Sequence, residues 1–135
     1  MLAPKKVKHR KWHRTDKIKG KAGRKTTLSF GTYGLKAITA SWVTARQIES
    51  ARRVMTRYTQ RGGKIWIRIF PDKPMTKKGS EVPMGKGKGA VDHYVAVVRA
   101  GTVMFEMAGV TKEMAEKAMT LAAYKLPVKC KFISK

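Results

Sequence analysis

Gly85, Lys86, Gly87, Lys88 and Gly89 stand in a row within the stretch VPMGKGKGAVDHY. This alternation suits phosphate: glycine lets a backbone come close to another surface, and lysine supplies positive charge. A nucleotide-binding P-loop reads G-x-x-x-x-G-K and then Ser or Thr, whose hydroxyl holds Mg²⁺. Here Gly79 and Gly85 are one residue too far apart, and Gly87 follows Lys86. A dinucleotide loop needs a strand before it and a helix after it. The run VDHYVAVV, which follows this loop, is β-branched and aromatic and predicts a strand instead. The loop is therefore read as a probe for phosphates other than a nucleotide's. A plain solvated loop is the alternative.

Other chemistry has little to stand on. The eight acids are scattered, with no close pair for acid and base work. His9 and His13 fall in a basic stretch, and His93 stands beside Asp92 alone. With Cys130 as the only cysteine, no metal-ligand set forms and no disulfide can close within the chain. No cofactor, metal or catalytic residue is expected. The single cysteine suits a reducing compartment.

The charge carries more information. Lys and Arg total 31 against 8 Asp and Glu, a formal net charge of +23 over 135 residues. Self-repulsion of that size calls for a polyanion, and nucleic acid is the commonest. No run of 18 apolar residues exists, so no membrane partner is expected. Residues 1–25 hold eleven of the cations and one acid, Asp16. This extension lacks the apolar h-region of a secretory signal and the sustained amphipathic face of a mitochondrial presequence. It is expected to stay disordered until a partner orders it. Lys5, Lys6, Lys8, Arg10, Lys11, Arg14, Arg24 and Lys25 are its candidate phosphate contacts. Trp12, set among them, could stack on a nucleobase or dock on the domain.

The elements that must position these groups follow from periodicity. LSFGTYGLKAITA predicts two short strands or one bent strand. Thr44 and Gln47 fit a capping box, and Ile48, Ala51, Met55 and Tyr58 recur at helical spacing. Gly62-Gly63 is expected to end that helix. KIWIRIF predicts a strand, with Ile65, Ile67 and Ile69 on one face and Lys64, Trp66, Arg68 and Phe70 on the other. Residues 71–90 carry three prolines and no periodicity, so they are expected to form a long functional loop. VDHYVAVVR and TVMFEMA predict strands joined in a hairpin at Ala100-Gly101. Thr111 and Glu113 open a second helix whose buried stripe is expected at Met114, Ala115, Ala118, Leu121 and Ala122. Met55, Met104, Met107, Met114 and Met119 take core positions. Pro127 stops the helix, and VKCKFIS is a last strand. The expected fold is α+β: a two-layer sandwich, with two helices on one face of a mainly antiparallel sheet. It forms one domain over 26–135, carrying the 1–25 extension and the 71–90 loop.

The first helix supplies a second candidate surface. Arg46, Arg53 and Arg57 share the face opposite its apolar stripe. Glu49 offers Arg53 a partner at i,i+4, while Arg46, Arg52, Arg57 and Arg61 are expected to have none nearby. Unpaired arginines of this kind favour RNA phosphates over an ordinary wet face.

Taken in order, MLAPKKVKHRKWHR, SFGTYGLKA, SWVTARQIE, QRGGKIWIRIFPDKP, MGKGKG and KLPVKCKF resemble bacterial-type large-subunit ribosomal protein sixteen, over essentially the whole chain. The resemblance implies an α+β fold seated on large-subunit rRNA near the central protuberance, beside neighbouring ribosomal proteins. It also implies that the extension and the loop reach toward A-site tRNA and the peptidyl transferase region. Lys77, Lys78, Met84, Gly85, Lys86, Gly87, Lys88 and Gly89 are the matching loop positions. Two positions depart from the pattern. Pro83 stands where the family usually has arginine, and Tyr94 where it often has tryptophan. The implied place is a ribosome, cytoplasmic or organellar. The rival from another class is a free-standing RNA-dependent enzyme or RNA chaperone that uses the Gly/Lys loop.

Overall fold

The computed structural model describes residues 1–14, 17–82 and 84–135. Asp16 and Pro83, with the substitution noted at Pro83, lie outside the described residues. The order is β1 (Tyr33–Ala37), β2 (Ser41–Thr44), α1 (Ala45–Tyr58), β3 (Lys64–Ile67), β4 (Lys73–Lys77), β5 (Ala90–Val98), β6 (Val103–Ala108), α2 (Lys112–Ala123) and β7 (Cys130–Ser134).

The fold class is the expected α+β, with antiparallel pairing throughout the named strands. The strands divide into two sheets rather than one: β3-β6-β1-β7 and β2-β5-β4. β5 and β6 therefore do not form the expected hairpin. Gly101, at φ 98°, turns the chain from one sheet to the other. Its N–H donates to Ala37 O at 2.7 Å, and Ala37 N–H donates to Thr102 O at 2.8 Å. Backbone bonds to β1 thus replace the ladder that a hairpin would have made.

The helices pack on each other, α2 against β1 and β7 and α1 against β3, so both cover one face of the four-stranded sheet. That face presents Leu35, Phe105 and Met107, fully or almost fully buried. Helix α1 starts as expected. Thr44 Oγ1 accepts from Gln47 N–H at 3.2 Å, and Gln47 Oε1 accepts from Thr44 N–H at 2.9 Å. Ile48, Ala51 and Met55 are buried, but Tyr58 at the last turn is exposed. The helix ends before Gly62. Thr59 caps it, and Gln60 and Arg61 take left-handed φ of 53° and 63°. Gly63 has another task, since a Cβ there would lie 2.4 Å from Ala108 O.

In α2 the buried stripe is Ala115, Ala118, Met119 and Ala122, an i, i+3, i+4, i+7 set. Three small side chains on that stripe let α1 come close. Met114 and Leu121 flank it and stay 39% and 38% exposed, which corrects their expected burial. Met55, Met104, Met107 and Met119 are in the core.

Strand β3 is shorter than KIWIRIF suggests, although Arg68 N–H still donates to Met104 O at 2.8 Å. Residues 28–30 form no strand, and β2 was not foreseen. It is four residues long and runs straight into the helix cap at Thr44. The long loop is also corrected. β4 lies inside it, with Pro74 opposite Tyr94 in β5. β4 is an edge strand, where the missing proline N–H costs no ladder bond on the unpaired side. What remains is the tip of a hairpin arm, to which the described residues 78–82 and 84–89 belong.

Candidate nucleic-acid interface

Arg46, Arg53 and Arg57 are exposed on one face of α1, and Arg61 is exposed just beyond it. Arg52 is not unpaired as expected. Its Nη2 lies 2.5 Å from Glu49 Oε1 and its Nε donates to Oε2 at 3.1 Å, because i,i+3 places it as near as i,i+4 places Arg53. Arg53 Nε reaches the same Oε1 at 3.1 Å. The hydrogen bonds from Arg52 are the main reason that the Glu49 carboxyl falls to about 2. Burial opposes this, and the charges of Arg52 and Arg53 add to it. Among the described residues Arg46, Arg57 and Arg61 form no ion pair, so they carry the open charge of this face.

The extension and the arm come together. Lys11 Nζ donates to Lys88 O at 3.1 Å, and Lys88 Nζ donates to Trp12 O. Lys5, Lys6, Lys8, Arg10, Arg14, Arg24 and Lys25 are exposed along the extension, and Trp12 is 41% exposed. The Arg14 guanidinium sits 5.5 Å from the Trp42 ring centroid, and Lys73 Nζ sits 4.7 Å from it. Toward residue 25 the extension is stitched to the domain. Ala22 N–H donates to Ala100 O at 2.9 Å, and Val103 N–H donates to Lys25 O at 2.7 Å. A cleft of about 1160 Å³ opens between the extension and the arm's sheet, lined by Trp12, Arg24, Lys25, Phe70 and Arg99 among others.

At the tip, Lys77, Met84, Lys86 and Lys88 are exposed, and Lys78 Nζ donates to Gly85 O at 2.6 Å. Gly85, Lys86 and Gly87 follow one another at φ 107°, 57° and 95°. Successive N–H groups in such a turn can form an anion-binding concavity. Nothing lies within 4 Å of a Cβ built at Gly85 or Gly87, so their use is conformation. Gly89 differs, because a Cβ there would lie 2.8 Å from Lys77 O across the arm.

Sequence reasoning missed a further surface, on the face of the four-stranded sheet that the helices leave free. Trp66, Glu106, Gly34 and Ile133 stand side by side in register across its strands. The segment before β1 lies over this row. A Cβ at Gly34 would lie 2.4 Å from Leu28 Cδ2. The N–H groups of Ser29, Phe30 and Gly31 all donate to Glu106 Oε1, at 2.9, 2.9 and 3.0 Å. Arg68 Nη1 pairs with Oε2 at 3.0 Å, off the direction of a hydrogen bond, and donates to Thr27 O at 2.8 Å. Glu106 is wholly buried. Burial pushes its carboxyl up, but the three N–H donors and Arg68 outweigh this, and the net direction is down. Phe30 stacks on Trp66 with centroids 6.2 Å apart at 20°. The alternation of KIWIRIF had placed Lys64, Trp66 and Arg68 together, which was the available signal.

No group of three His, Cys, Asp or Glu that could hold a metal occurs among the described residues, and no described helix is long and apolar enough to cross a membrane. His93 Nδ1 lies 2.8 Å from Asp92 Oδ2 on the surface. Burial pushes the Cys130 thiol up to about 11, which keeps it protonated and unreactive at neutral pH.

A basic α+β domain, with cations on one helix face, along an extension and at an arm, is of the nucleic-acid-binding structural class. Comparison with known proteins narrows this. Residues 4–133 match the model of the family described as ribosomal protein L16p/L10e, and the chain belongs to that family. It is 60% identical over 135 residues to large ribosomal subunit protein uL16 of Exiguobacterium sibiricum, covering 100% of this chain and 92% of that one. It is 56% identical over 134 residues to large ribosomal subunit protein uL16c of Cyanidium caldarium, covering 99% and 95%.

Proposed function

We propose that the chain binds large-subunit rRNA through its basic extension and arginine face, and that its arm helps position A-site tRNA near the peptidyl transferase centre. Family membership makes it a structural component of the ribosome rather than an enzyme, and its place is the ribosome, cytoplasmic or organellar. The enzyme reading of the Gly/Lys loop gives way on that ground. Large-subunit rRNA and neighbouring ribosomal proteins are its partners. The observation that carries the finer reading is the exchange of bonds between Lys11-Trp12 and Lys88. It brings the middle of the extension against the arm tip, so that Lys11 and Lys88 form part of one phosphate-seeking surface.

Anchoring and positioning can be tested apart. Arg53→Glu with Arg57→Glu should weaken binding of the free protein to rRNA and reduce the salt slope by about 2. Thermal unfolding should report a loss of only about 1 kcal/mol, since both residues are exposed. A large drop in melting temperature would refute the assignment of this face to RNA. Lys86→Ala with Lys88→Ala should leave incorporation into reconstituted subunits near wild type. It should weaken A-site tRNA binding by roughly ten- to fifty-fold, on the basis of two lost phosphate contacts. Unchanged tRNA affinity in those subunits would remove the arm from the reading.

A further inference from the structure

The free face of the four-stranded sheet points to a second kind of RNA contact. We propose that Phe30 and Trp66 form a stacking platform for one unpaired RNA base, with Arg68 bracing the Phe30 ring and Lys64 beside the pair for an adjoining phosphate. The proposal rests on the RNA-binding reading above and adds a site to it.

Phe30 is 61% exposed. An aromatic ring so exposed usually sits on a loose loop. This one is fastened at its own N–H and at those of both neighbours, all three bonded to one buried carboxylate. Gly31 fits the same arrangement, because a Cβ there would lie 2.7 Å from Met107 O. The backbone under Phe30 is thus held against the sheet while its ring remains open to solvent. The ring continues a stack with Trp66, so a base added to it extends an existing pile instead of ordering a new one. That lowers the entropy cost of binding.

A cation lies against each ring of the pile. Lys64 Nζ is 5.3 Å from the Trp66 centroid, and the Arg68 guanidinium is 5.4 Å from the Phe30 centroid. Arg68 is held by Glu106 and Thr27, so its position is set before any ligand arrives. Farther along the same face Lys36 and Lys131 stand directly opposite each other on β1 and β7. Like charges so placed repel unless an anion lies between them. With Lys21 they line a hollow of about 350 Å³. The single described acid in this row, Glu106, is buried and already engaged. The occupant that matches stacked rings bordered by the exposed Lys64 and Lys131 is single-stranded RNA. A duplex keeps the faces of its bases stacked inside and offers phosphates and 2′-hydroxyls along its length.

The test uses the full chain with two probes, a single-stranded oligo(U) of eight nucleotides and a blunt RNA duplex of the same length, at one fixed salt concentration. Phe30→Leu keeps an apolar cover over Trp66 and removes the aromatic face. It should weaken oligo(U) binding by about five- to a hundred-fold, the range for losing one stacked base, and leave the duplex unchanged. Phe30→Tyr should restore oligo(U) binding, which separates stacking from a structural defect. Unchanged oligo(U) affinity in Phe30→Leu, or equal losses for both probes, would overturn the platform while leaving the anchoring account intact. A protein partner for this face would give the first of those results. Failure of the wild-type chain to bind either probe would overturn the RNA reading and the platform together.

Discussion

Glu106→Ala is expected to destabilise the domain by about 3–5 kcal/mol, a large part of the roughly 5–15 kcal/mol that holds a domain of this kind folded. The carboxylate is fully buried in the middle of the sheet. Its removal strands the N–H groups of Ser29, Phe30 and Gly31 and leaves Arg68 without its counter-charge. Glu106→Gln should cost less, about 1–3 kcal/mol, because the amide oxygen can still accept while the charge is gone. Urea unfolding midpoints would rank the three proteins, and a midpoint for Glu106→Ala equal to wild type would contradict the account. The pH dependence has a definite sign. The folded pKa of Glu106 lies below its ordinary value, so as pH falls the unfolded chain takes up the proton first. The stabilisation is complete above the ordinary carboxylate range and is lost as pH falls through the folded pKa. Glu49, held near 2 against an ordinary 4.5, acts in the same direction over that interval. Glu106→Gln should therefore flatten the acid limb of the stability curve.

Glu106 also shows where sequence reading stops. In TVMFEMA it looks like an ordinary outward residue of a strand. Its role depends on residues 29–31, some 75 positions earlier, folding back over the sheet. Contacts that distant leave no periodic trace. Local signals were legible. The Thr44–Gln47 box, the Ile48–Met55 stripe, Thr111 as a cap and the VKCKFIS strand each rest on neighbours within one or two turns or on simple alternation. The errors share a physical cause as well. Pro74 reads as a breaker until its strand is known to lie at an edge. Ala100-Gly101 reads as a hairpin until the flanking strands are known to belong to different sheets. Met114 and Leu121 read as core until the width of the α1–α2 contact is known.

The site divides in the same way. Charge along a chain is a local property, so the extension, the arginine face and the Gly/Lys tip were visible in the sequence. Their mutual placement was not. The bonds between Lys11-Trp12 and Lys88 span more than 75 residues. The pairing of Arg52 with Glu49 depends on a side-chain choice between i,i+3 and i,i+4, which composition cannot make.

Affinity for rRNA should fall by roughly 10³–10⁵ between 50 and 200 mM salt if about 6–10 phosphates are neutralised, because each contact releases condensed counterions. Supply of charge is no obstacle, with 31 Lys and Arg in the chain. The decisive question is which surface provides the contacts, and the structure sets where to cut. Ala22 and Lys25 bond Ala100 and Val103, so removing residues 1–25 would damage the sheets along with the interface. Removing residues 1–19 takes away eight Lys or Arg and ends before that stitching. This truncation should reduce the magnitude of the log–log salt slope by roughly 3 or more, counting about one per lost phosphate contact. Its melting temperature should fall only slightly, because among the described residues removed Leu2 alone packs on the core. Phe30→Leu should lower affinity for single-stranded RNA at every salt concentration without changing the slope, since stacking releases no counterion. Titrations of the wild type, the truncation and Phe30→Leu over one salt series separate these contributions. A nearly flat wild-type profile would defeat phosphate neutralisation as the source of affinity. A truncation with an unchanged slope would move the anchoring from the extension to the arginine face of α1.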